Sequence, residues 1–393
     1  ASLIPLSQAV MAETYPAHER GQAMAIWGMG VMVAPIVGPT LGGWLTEVVS
    51  WRWTFYINLP VGALTFFLAA TYVPDTDKRE RDLDWVGFAA LALSLCALQV
   101  TLDRGEQDDW FGSRFIVSMA TAAFAFFVLF VWRTVVNRRD PLFNLAVLKD
   151  RNFVLACTIV FITGLGLYGS MLLQPMFLEN LLDYPTTEAG MDLVPRGLAT
   201  LAAMTIVSRV ASHVAPKTLL TAGVVVSIVG ALLMTRLTPD IGGGWMILPL
   251  ALQGFGLGFI FVPASTVAFA TIPKQLSAEA AGLYSLVRSV GSAVGISLVS
   301  SYFVRSSQAH WELFRGQFSP YRGQVADYLA GMHLAPGSPM GAQMLSQVLG
   351  YQAQLAAFVD TFWLVAASFV VMLPVLLFMR KTRPASAPPV AAE

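Results

Sequence analysis

The sequence predicts an all-α polytopic membrane protein, because it is unusually apolar and its apolar residues form long runs. Hydrophobic residues make up 56% of the 393 positions, charged residues make up 12%, and the mean hydropathy is +0.63. Soluble domains carry about 25% charged residues, so most of this protein's surface is expected to face the lipid bilayer. The 24 basic and 24 acidic residues balance, which gives no sign of a nucleic-acid partner.

Apolar runs long enough to cross a bilayer recur along the whole chain. A span needs about 20 apolar residues. A partial run covers 1–14, and full runs lie near 21–46, 53–73, 84–102, 113–133, 152–178, 188–211, 217–236, 244–272, 281–303 and 357–379. Glycine and proline interrupt several of them, which helices bundled in a membrane tolerate.

The basic residues predict the orientation of these spans. Lys and Arg are concentrated in every second loop, for example Arg133, Arg138, Arg139, Lys149 and Arg151, whereas the alternate short loops carry only Arg52, Arg104, Arg114 and Arg236. Cytoplasmic loops of membrane proteins carry this excess. The C-terminus is therefore expected in the cytoplasm.

An internal repeat predicts how the spans are grouped. Ile4-Pro5-Leu6-Ser7 matches Val262-Pro263-Ala264-Ser265, and the glycine pair Gly21 and Gly30 matches Gly282 and Gly291. Parallel repeats of this kind are typical of transporters. Because three spans precede the second copy, we expect three more upstream of Ala1, or roughly 110–120 residues. The parent protein would then have fourteen spans, in groups of six, two and six.

The repeat also predicts the domain boundaries. Residues 1–80 would be the remainder of the N-terminal half (spans 4–6) and 81–140 two inserted spans (7–8). Residues 141–381 would be the C-terminal half (spans 9–14, with an extracytoplasmic loop at 304–356), and 382–393 a disordered cytoplasmic tail.

Five stretches resemble the fourteen-span drug–proton antiporter branch (EmrB/QacA type) of the major facilitator superfamily. Ala34-Pro35 followed by Gly38-Pro39-Thr40-Leu41-Gly42-Gly43 resembles the antiporter motif of these exporters. The others are Trp51 through Gly62, Asp84-Trp85-Val86-Gly87, Pro195-Arg196-Gly197-Leu198-Ala199 and Gly282 through Gly295. The resemblance covers the whole chain, with the first three to four helices of the family missing. It implies a major facilitator fold of two pseudo-symmetric six-helix halves plus two inserted helices.

The same resemblance implies a function. Such proteins carry out secondary active efflux of amphiphilic drugs or toxic compounds by proton antiport through alternating access. The proton gradient would be the energy source, with no cofactor. The protein would be a multi-pass protein of the bacterial inner (plasma) membrane, and a periplasmic membrane-fusion adaptor is a candidate partner. The main proton-coupling residues of the family would lie before Ala1.

The motif residues Gly30, Ala34, Pro35, Gly38, Pro39, Gly42 and Gly43 are candidates for a gate. Gly30, Gly38 and Gly42 lie close to one helix face, and a face without side chains lets another helix approach closely. Proline bends the helix by removing backbone donors. The alternative is ordinary small-residue packing.

Polar side chains at membrane depth are further site candidates. Arg196, Arg288 and Asp360 are charged, and an embedded charge is costly unless it is paired or hydrated. The alternative for the arginines is that they reach the headgroups. Cavity candidates are Trp27, Asn58, Tyr168, Met171, Gln174, Met204, Gln253 and Phe255, where thioethers and rings would accept varied substrates. Packing, lipid contact or bonding between helices is the alternative for each.

The polar segment 304–356 is expected to lie on the outer membrane surface, with Met340 through Leu355 as a short helix. The alternatives are a cover over the cavity mouth or an adaptor docking site.

Other chemistries have little support in the sequence. The histidines His18, His213, His310 and His333 are scattered singly, so no metal site is predicted. Cys96 and Cys157 lie in apolar runs and predict no disulfide framework. No His-Glu-x-x-His motif or Walker-type loop is present, so no enzymatic activity is expected. The remaining alternatives are an exporter of one specific metabolite or siderophore, and a non-transporting membrane sensor or scaffold.

Overall fold

A computed structural model describes residues 6–7, 10–11, 14–16, 20–72, 84–136, 145–211, 213–238, 243–273, 276–316, 323–335 and 338–379, and within these ranges it contains helices but no strands. The predicted stub at 1–14 is described only in part, and the predicted tail at 382–393 lies outside the described residues.

The helices follow the predicted apolar runs closely. They are α1 (Arg20–Trp44), α2 (Trp53–Tyr56), α3 (Asn58–Tyr72), α4 (Trp85–Arg104), α5 (Arg114–Val136), α6 (Arg151–Asn180), α7 (Thr186–Asp192), α8 (Val194–Val210), α9 (Pro216–Met234), α10 (Gly243–Ala270), α11 (Ser277–Arg315), α12 (Gly323–Gly331) and α13 (Pro339–Leu377). A π-helical turn, Leu45–Val49, extends α1. Single 3-10 turns lie at Trp110–Gly112 and Leu145–Lys149.

Among the described residues, nine helical stretches are long and apolar enough to cross a membrane. They coincide with nine of the ten full runs predicted from the sequence, and the tenth, 21–46, coincides with α1. The prediction of an all-α polytopic membrane protein is therefore confirmed.

Helices α6 to α11 and α13 form the C-terminal bundle, whose core is aromatic and aliphatic. Phe153, Phe177, Phe358 and Phe362 are almost completely buried, and the rings of Phe177 and Phe358 meet edge to face at 5.4 Å. Glycines set the closest helix contacts. A Cβ atom at Gly291 would lie 2.6 Å from the carbonyl oxygen of Phe161, so α11 approaches α6 only because no side chain stands between them.

Helices α4 and α5 form a hairpin. The Asp84-Trp85-Val86-Gly87 stretch forms the start of α4, where Asp84 and Gly87 have structural roles. The Asp84 carboxylate caps α4 by accepting a hydrogen bond from the Gly87 backbone amide at 3.0 Å, and it pairs with Arg133 at 3.3 Å. A Cβ atom on Gly87 would lie 2.6 Å from that carboxylate. The Ser94 hydroxyl then donates to the Ala123 carbonyl at 2.9 Å, so a polar contact joins the two helices in their interior.

The hairpin is attached to the C-terminal bundle along α11. The Ser297 hydroxyl donates to the Leu102 carbonyl at 2.8 Å. At the end of the hairpin where α4 leads into α5, Arg305 lies 3.5 Å from Glu106, and Glu106 also accepts from the Trp110 indole at 2.6 Å.

The expectation that 304–356 lies on the membrane surface is wrong for the parts that the structure describes. Helices α11 and α13 are each 39 residues long, about 58 Å, which is nearly twice the thickness of the hydrocarbon core. The predicted short helix from Met340 to Leu355 is the first half of α13. Each of the two helices is therefore long enough to continue beyond the membrane. The part outside the lipid can be polar, because it no longer needs an apolar surface.

We expect Gly291→Val to destabilise the C-terminal bundle, since the added side chain would strike the α6 backbone. Overpacking of this kind costs about 1–3 kcal/mol. Gly30→Val is the matched control, because a Cβ at Gly30 would meet no atom within 4 Å. Thermal unfolding in detergent measures both, and equal melting temperatures for the two variants would contradict the packing described here.

Candidate functional site

Arg196 is the centre of a polar network inside the C-terminal bundle. Its side chain is 7% exposed and extends from α8 towards α6. There its Nη1 donates to the Gln174 Oε1 at 2.7 Å, and its Nη2 lies 3.3 Å from the Ser170 hydroxyl and 3.5 Å from the Leu167 carbonyl. The guanidinium is thus held at membrane depth by neutral oxygen atoms, rather than extended to the headgroups.

The network continues from α6 to α10. The Gln174 side-chain amide donates from Nε2 to the Gln253 Oε1 at 2.9 Å. Gln253 is 5% exposed, and its own Nε2 is buried with no hydrogen-bond acceptor. Three residues that the sequence singled out separately as polar groups at membrane depth therefore lie in one hydrogen-bonded chain.

A close contact between α8 and α10 fixes the backbone beneath Arg196. A Cβ atom at Gly254 would collide with the Arg196 carbonyl oxygen, and one at Gly258 would lie 3.0 Å from the Thr200 carbonyl. The Thr200 hydroxyl donates to the Gly254 carbonyl at 2.9 Å. Pro195 stands in the first turn of α8, where a proline costs no hydrogen bond. The Pro-Arg-Gly stretch therefore starts the helix that carries the arginine.

An apolar cluster lies next to this network. The Trp27 ring of α1 stacks on Phe261 of α10, with centroids 6.1 Å apart and an angle of 14° between the rings. Arg288 lies 5.8 Å from the centre of the same Phe261 ring. Tyr168, Met171 and Met204 also belong to this cluster, so four of the predicted cavity residues lie together.

Two predicted cavity residues lie elsewhere. Phe255 is not part of the Trp27–Phe261 cluster, but it stacks at 4.9 Å on Phe259, which packs against that cluster. Asn58 is exposed and donates to the carbonyls of Thr54 and Phe55 in its own helical segment. The span that contains Asn58 has no buried residue, so the structure does not bring it to the other candidates.

The cluster encloses a cavity of about 20 Å³, lined by residues that include Leu167, Tyr168, Phe261 and Arg288. That volume holds about one water molecule. A larger ligand would therefore not fit this cavity unless the residues that line it moved apart.

Helix α1 packs against α7, α8 and α10, which joins the N-terminal segment to the C-terminal bundle. At one end of this contact, a Cβ atom at Gly43 would lie 3.1 Å from the Thr186 carbonyl, and the Thr187 hydroxyl donates to the Glu47 carboxylate. Farther along α1, a Cβ atom at Gly28 would be in ordinary contact with Met204 and Phe261 at 3.7 Å.

The predicted close approach at the glycine face of α1 occurs at a different residue. Among the described residues, a Cβ atom at Gly30, Gly38 or Gly42 would meet no atom within 4 Å, whereas Gly43 lies directly against α7. The gate role of the first three glycines therefore stays a prediction. The side chains of Ala34, Pro35 and Pro39 lie outside the described residues.

Asp360 does not join the Arg196 network. Its carboxylate accepts from the Ser306 hydroxyl at 2.8 Å and lies 2.7 Å from the His310 Nε2. These contacts link α13 to α11 at the point where the two helices continue beyond the hydrophobic part. Asp360 therefore stabilises the pair of long helices.

Sequence reasoning missed Glu47, Thr187, Ser170 and Gly28. Glu47 had a recognisable signal, as an acidic residue directly after an apolar run that ends in the glycine motif. The others had none, because a serine, threonine or glycine in a membrane helix is common. Their importance depends on which helix lies opposite.

Comparison with known proteins agrees with this architecture. Residues 1–296 match the family model of the Major Facilitator Superfamily. The chain is 29% identical over 385 residues to the multidrug export protein EmrB of Escherichia coli K12, covering 96% of this chain and 74% of that protein. It is 28% identical over 380 residues to the fatty acid resistance protein FarB of Neisseria gonorrhoeae, covering 95% of this chain and 74% of FarB.

A third relative matches a shorter part of the chain. The multidrug resistance protein Stp of Mycobacterium tuberculosis H37Rv is 30% identical over 299 residues, covering 75% of this chain and 55% of Stp. The family match covers α1 through the first half of α11, and so includes the Arg196 network. This chain belongs to the major facilitator superfamily, as a multi-pass membrane protein of the EmrB type.

Proposed function

We propose that this protein exports amphiphilic drugs or toxic compounds by proton antiport, through alternating access between two halves. Its relatives are named for multidrug export and for fatty acid resistance, and both kinds of substrate combine an apolar body with a polar group. The apolar cluster could contact the apolar body of such a substrate, and the neighbouring Arg196 network could contact its polar group. Met171 and Met204 suit a site for varied shapes, because thioether side chains adapt to different neighbours.

The observation that carries the proposal is the contact between α1 and the C-terminal bundle. It includes Gly43 against Thr186, Glu47 with Thr187, and Trp27 on Phe261, together with packing of α1 along α8. In alternating access, one half rocks against the other around a central site. The contacts of α1 with α7, α8 and α10 would separate and reform in such a motion.

The proposed location is the bacterial inner membrane, with the C-terminus in the cytoplasm. The distribution of Lys and Arg over the loops supports this orientation. It places Gly43, Glu47 and Thr187 at the outer end of the pathway, so their contact would close the outer side. The energy source would be the proton gradient, without a bound cofactor.

A periplasmic membrane-fusion adaptor is the proposed partner, and the projecting parts of α11 and α13 would meet it. A groove of about 500 Å³ on these helices is lined by Ser307, Gln308, Trp311, Glu312, Gly350 and Gln354. Trp311 supports this choice, because large aromatic rings are enriched at protein interfaces.

We expect the protein, reconstituted into liposomes, to drive uptake of ethidium when a pH gradient is imposed. The physical reason is that antiport couples outward proton movement to inward dye movement. Nigericin, which dissipates the gradient, should stop uptake. Uptake that is indifferent to nigericin would contradict proton antiport. Failure to transport ethidium and several unrelated dyes would instead favour a specific exporter or a non-transporting protein.

Gly43→Val should reduce ethidium export at least tenfold, because the added side chain would strike the α7 backbone and hinder closure of the outer side. Gly38→Val is the matched control on the same helix, since its Cβ would have open space. The measurement is the initial rate of export at equal protein amounts. Equal losses in both variants would contradict a specific role for the Gly43 contact.

A further inference from the structure

A histidine–aspartate pair connects the two longest helices near the point where they continue beyond the hydrophobic part. The Asp360 carboxylate of α13 lies 2.7 Å from the His310 Nε2 of α11, and it accepts from the Ser306 hydroxyl at 2.8 Å. Asp360 is the only charged residue of α13, and His310 is the only histidine of α11. The one charge of α13 is therefore matched with a side chain whose type changes its charge near neutral pH.

Protons from the solution can reach this pair. The side chains of His310 and Asp360 are 28% and 39% exposed, so neither is sealed inside the bundle. The orientation proposed from the distribution of Lys and Arg places the pair on the outer side of the membrane. A change of pH outside the cell would therefore act on it directly.

The other titratable groups around the pair do not compete for it. On the helices packed here and at their outer ends, these groups are Tyr302, Arg305, Glu312 and Arg315 of α11, Tyr351 of α13, Glu106 after α4, Glu179 of α6 and Arg236 after α9. Arg305 pairs with Glu106 at 3.5 Å, and Arg315 pairs with Glu312 at 3.8 Å. Among the described residues, none of the charged ones lies within ion-pair distance of His310 or Asp360. A charge on His310 therefore acts mainly on Asp360.

The contact between the two side chains depends on the protonation of His310. An imidazolium would form a charge-assisted hydrogen bond with an opposite charge, whereas a neutral ring would leave the Asp360 charge uncompensated. The Phe314 ring, whose centre lies 5.6 Å from that of the imidazole, would give a protonated ring a second favourable contact. Protonation should therefore hold α11 and α13 together more firmly.

The residue after His310 forms part of the groove on the projecting helices. A Cβ atom at Gly350 of α13 would lie 3.4 Å from the Trp311 ring of α11, and both residues line the groove. Because the groove is built from both helices, its shape depends on how closely they are held together.

We propose that His310 and Asp360 form a proton-binding site on the outer side of the membrane. With His310 protonated, the pair would clamp the projecting parts of α11 and α13 together, and with His310 neutral it would loosen them. The groove would then be complete only in acidic surroundings. This inference goes beyond the export function and requires only the proposed orientation of the helices.

The test is the distance between spin labels on the projecting parts of the two helices, measured in lipid nanodiscs. The labels replace Leu313 of α11 and Met340 of α13, which are both exposed, and Cys96 and Cys157 are replaced by alanine. Measurements at about pH 5.5 and about pH 8 cover the range in which imidazole changes its charge. We expect the ratio of short to long distances to be about fivefold higher at the lower pH, the factor that a partly exposed ion pair supplies.

His310→Gln keeps a hydrogen-bond donor for Asp360 but cannot gain a charge, so the response to pH should disappear. Asp360→Asn removes the opposite charge and should have the same effect, which keeps the test valid if one variant does not fold. His333→Asn is the matched control, because His333 is exposed and lies outside the pair. Its φ of 62° is a conformation that asparagine tolerates, and this variant should retain the full response.

Equal distance distributions at both pH values in the unaltered protein would overturn the proposal. A response that survives in both His310→Gln and Asp360→Asn, or one that His333→Asn also abolishes, would overturn it as well. Because the labels report without a substrate, a protein that responds to pH but exports no compound would support the clamp and reject the export function. Ethidium export without any response of the labels would reject the clamp alone.

Discussion

A guanidinium at membrane depth has to be held by polar partners, and this constraint organises the C-terminal bundle. Arg196 takes its oxygen atoms from α6, through Gln174 and Ser170, and α10 joins the network through Gln253. The glycines of α10 let its backbone contact the α8 backbone directly under the arginine. Three helices are thereby fixed around one charge, because losing any partner would leave that charge buried and unsatisfied.

The contact between α1 and this bundle has a different physical character. The bundle is joined by large buried rings such as Phe153, Phe177 and Phe358. The described contacts of α1 include a glycine contact, a carboxylate–hydroxyl bond and a stacked ring pair, beside packing along α8. In the proposed rocking motion these contacts of α1 would break and reform.

The sequence was sufficient for the spans and for three of the network residues, but not for Ser170 or for the contacts between them. Long apolar runs and lone polar groups within them are visible without a structure, so Arg196, Gln174 and Gln253 could be singled out individually. Their common network depends on which helices are neighbours. The glycine motif predicted a close contact on α1, and only the position of α7 shows that Gly43 makes it.

Separation of α1 from α7 is the central claim of this account. The most direct measurement is the distance between spin labels at Val48 and Glu188, two exposed residues beside the Glu47–Thr187 contact. Cys96 and Cys157 would be replaced by alanine to keep labelling specific. In liposomes, a substrate together with a pH gradient is expected to shift a single short distance towards a second, longer population. One unchanged distance under all conditions, in a protein that still exports dye, would contradict the claim that the halves separate at this contact.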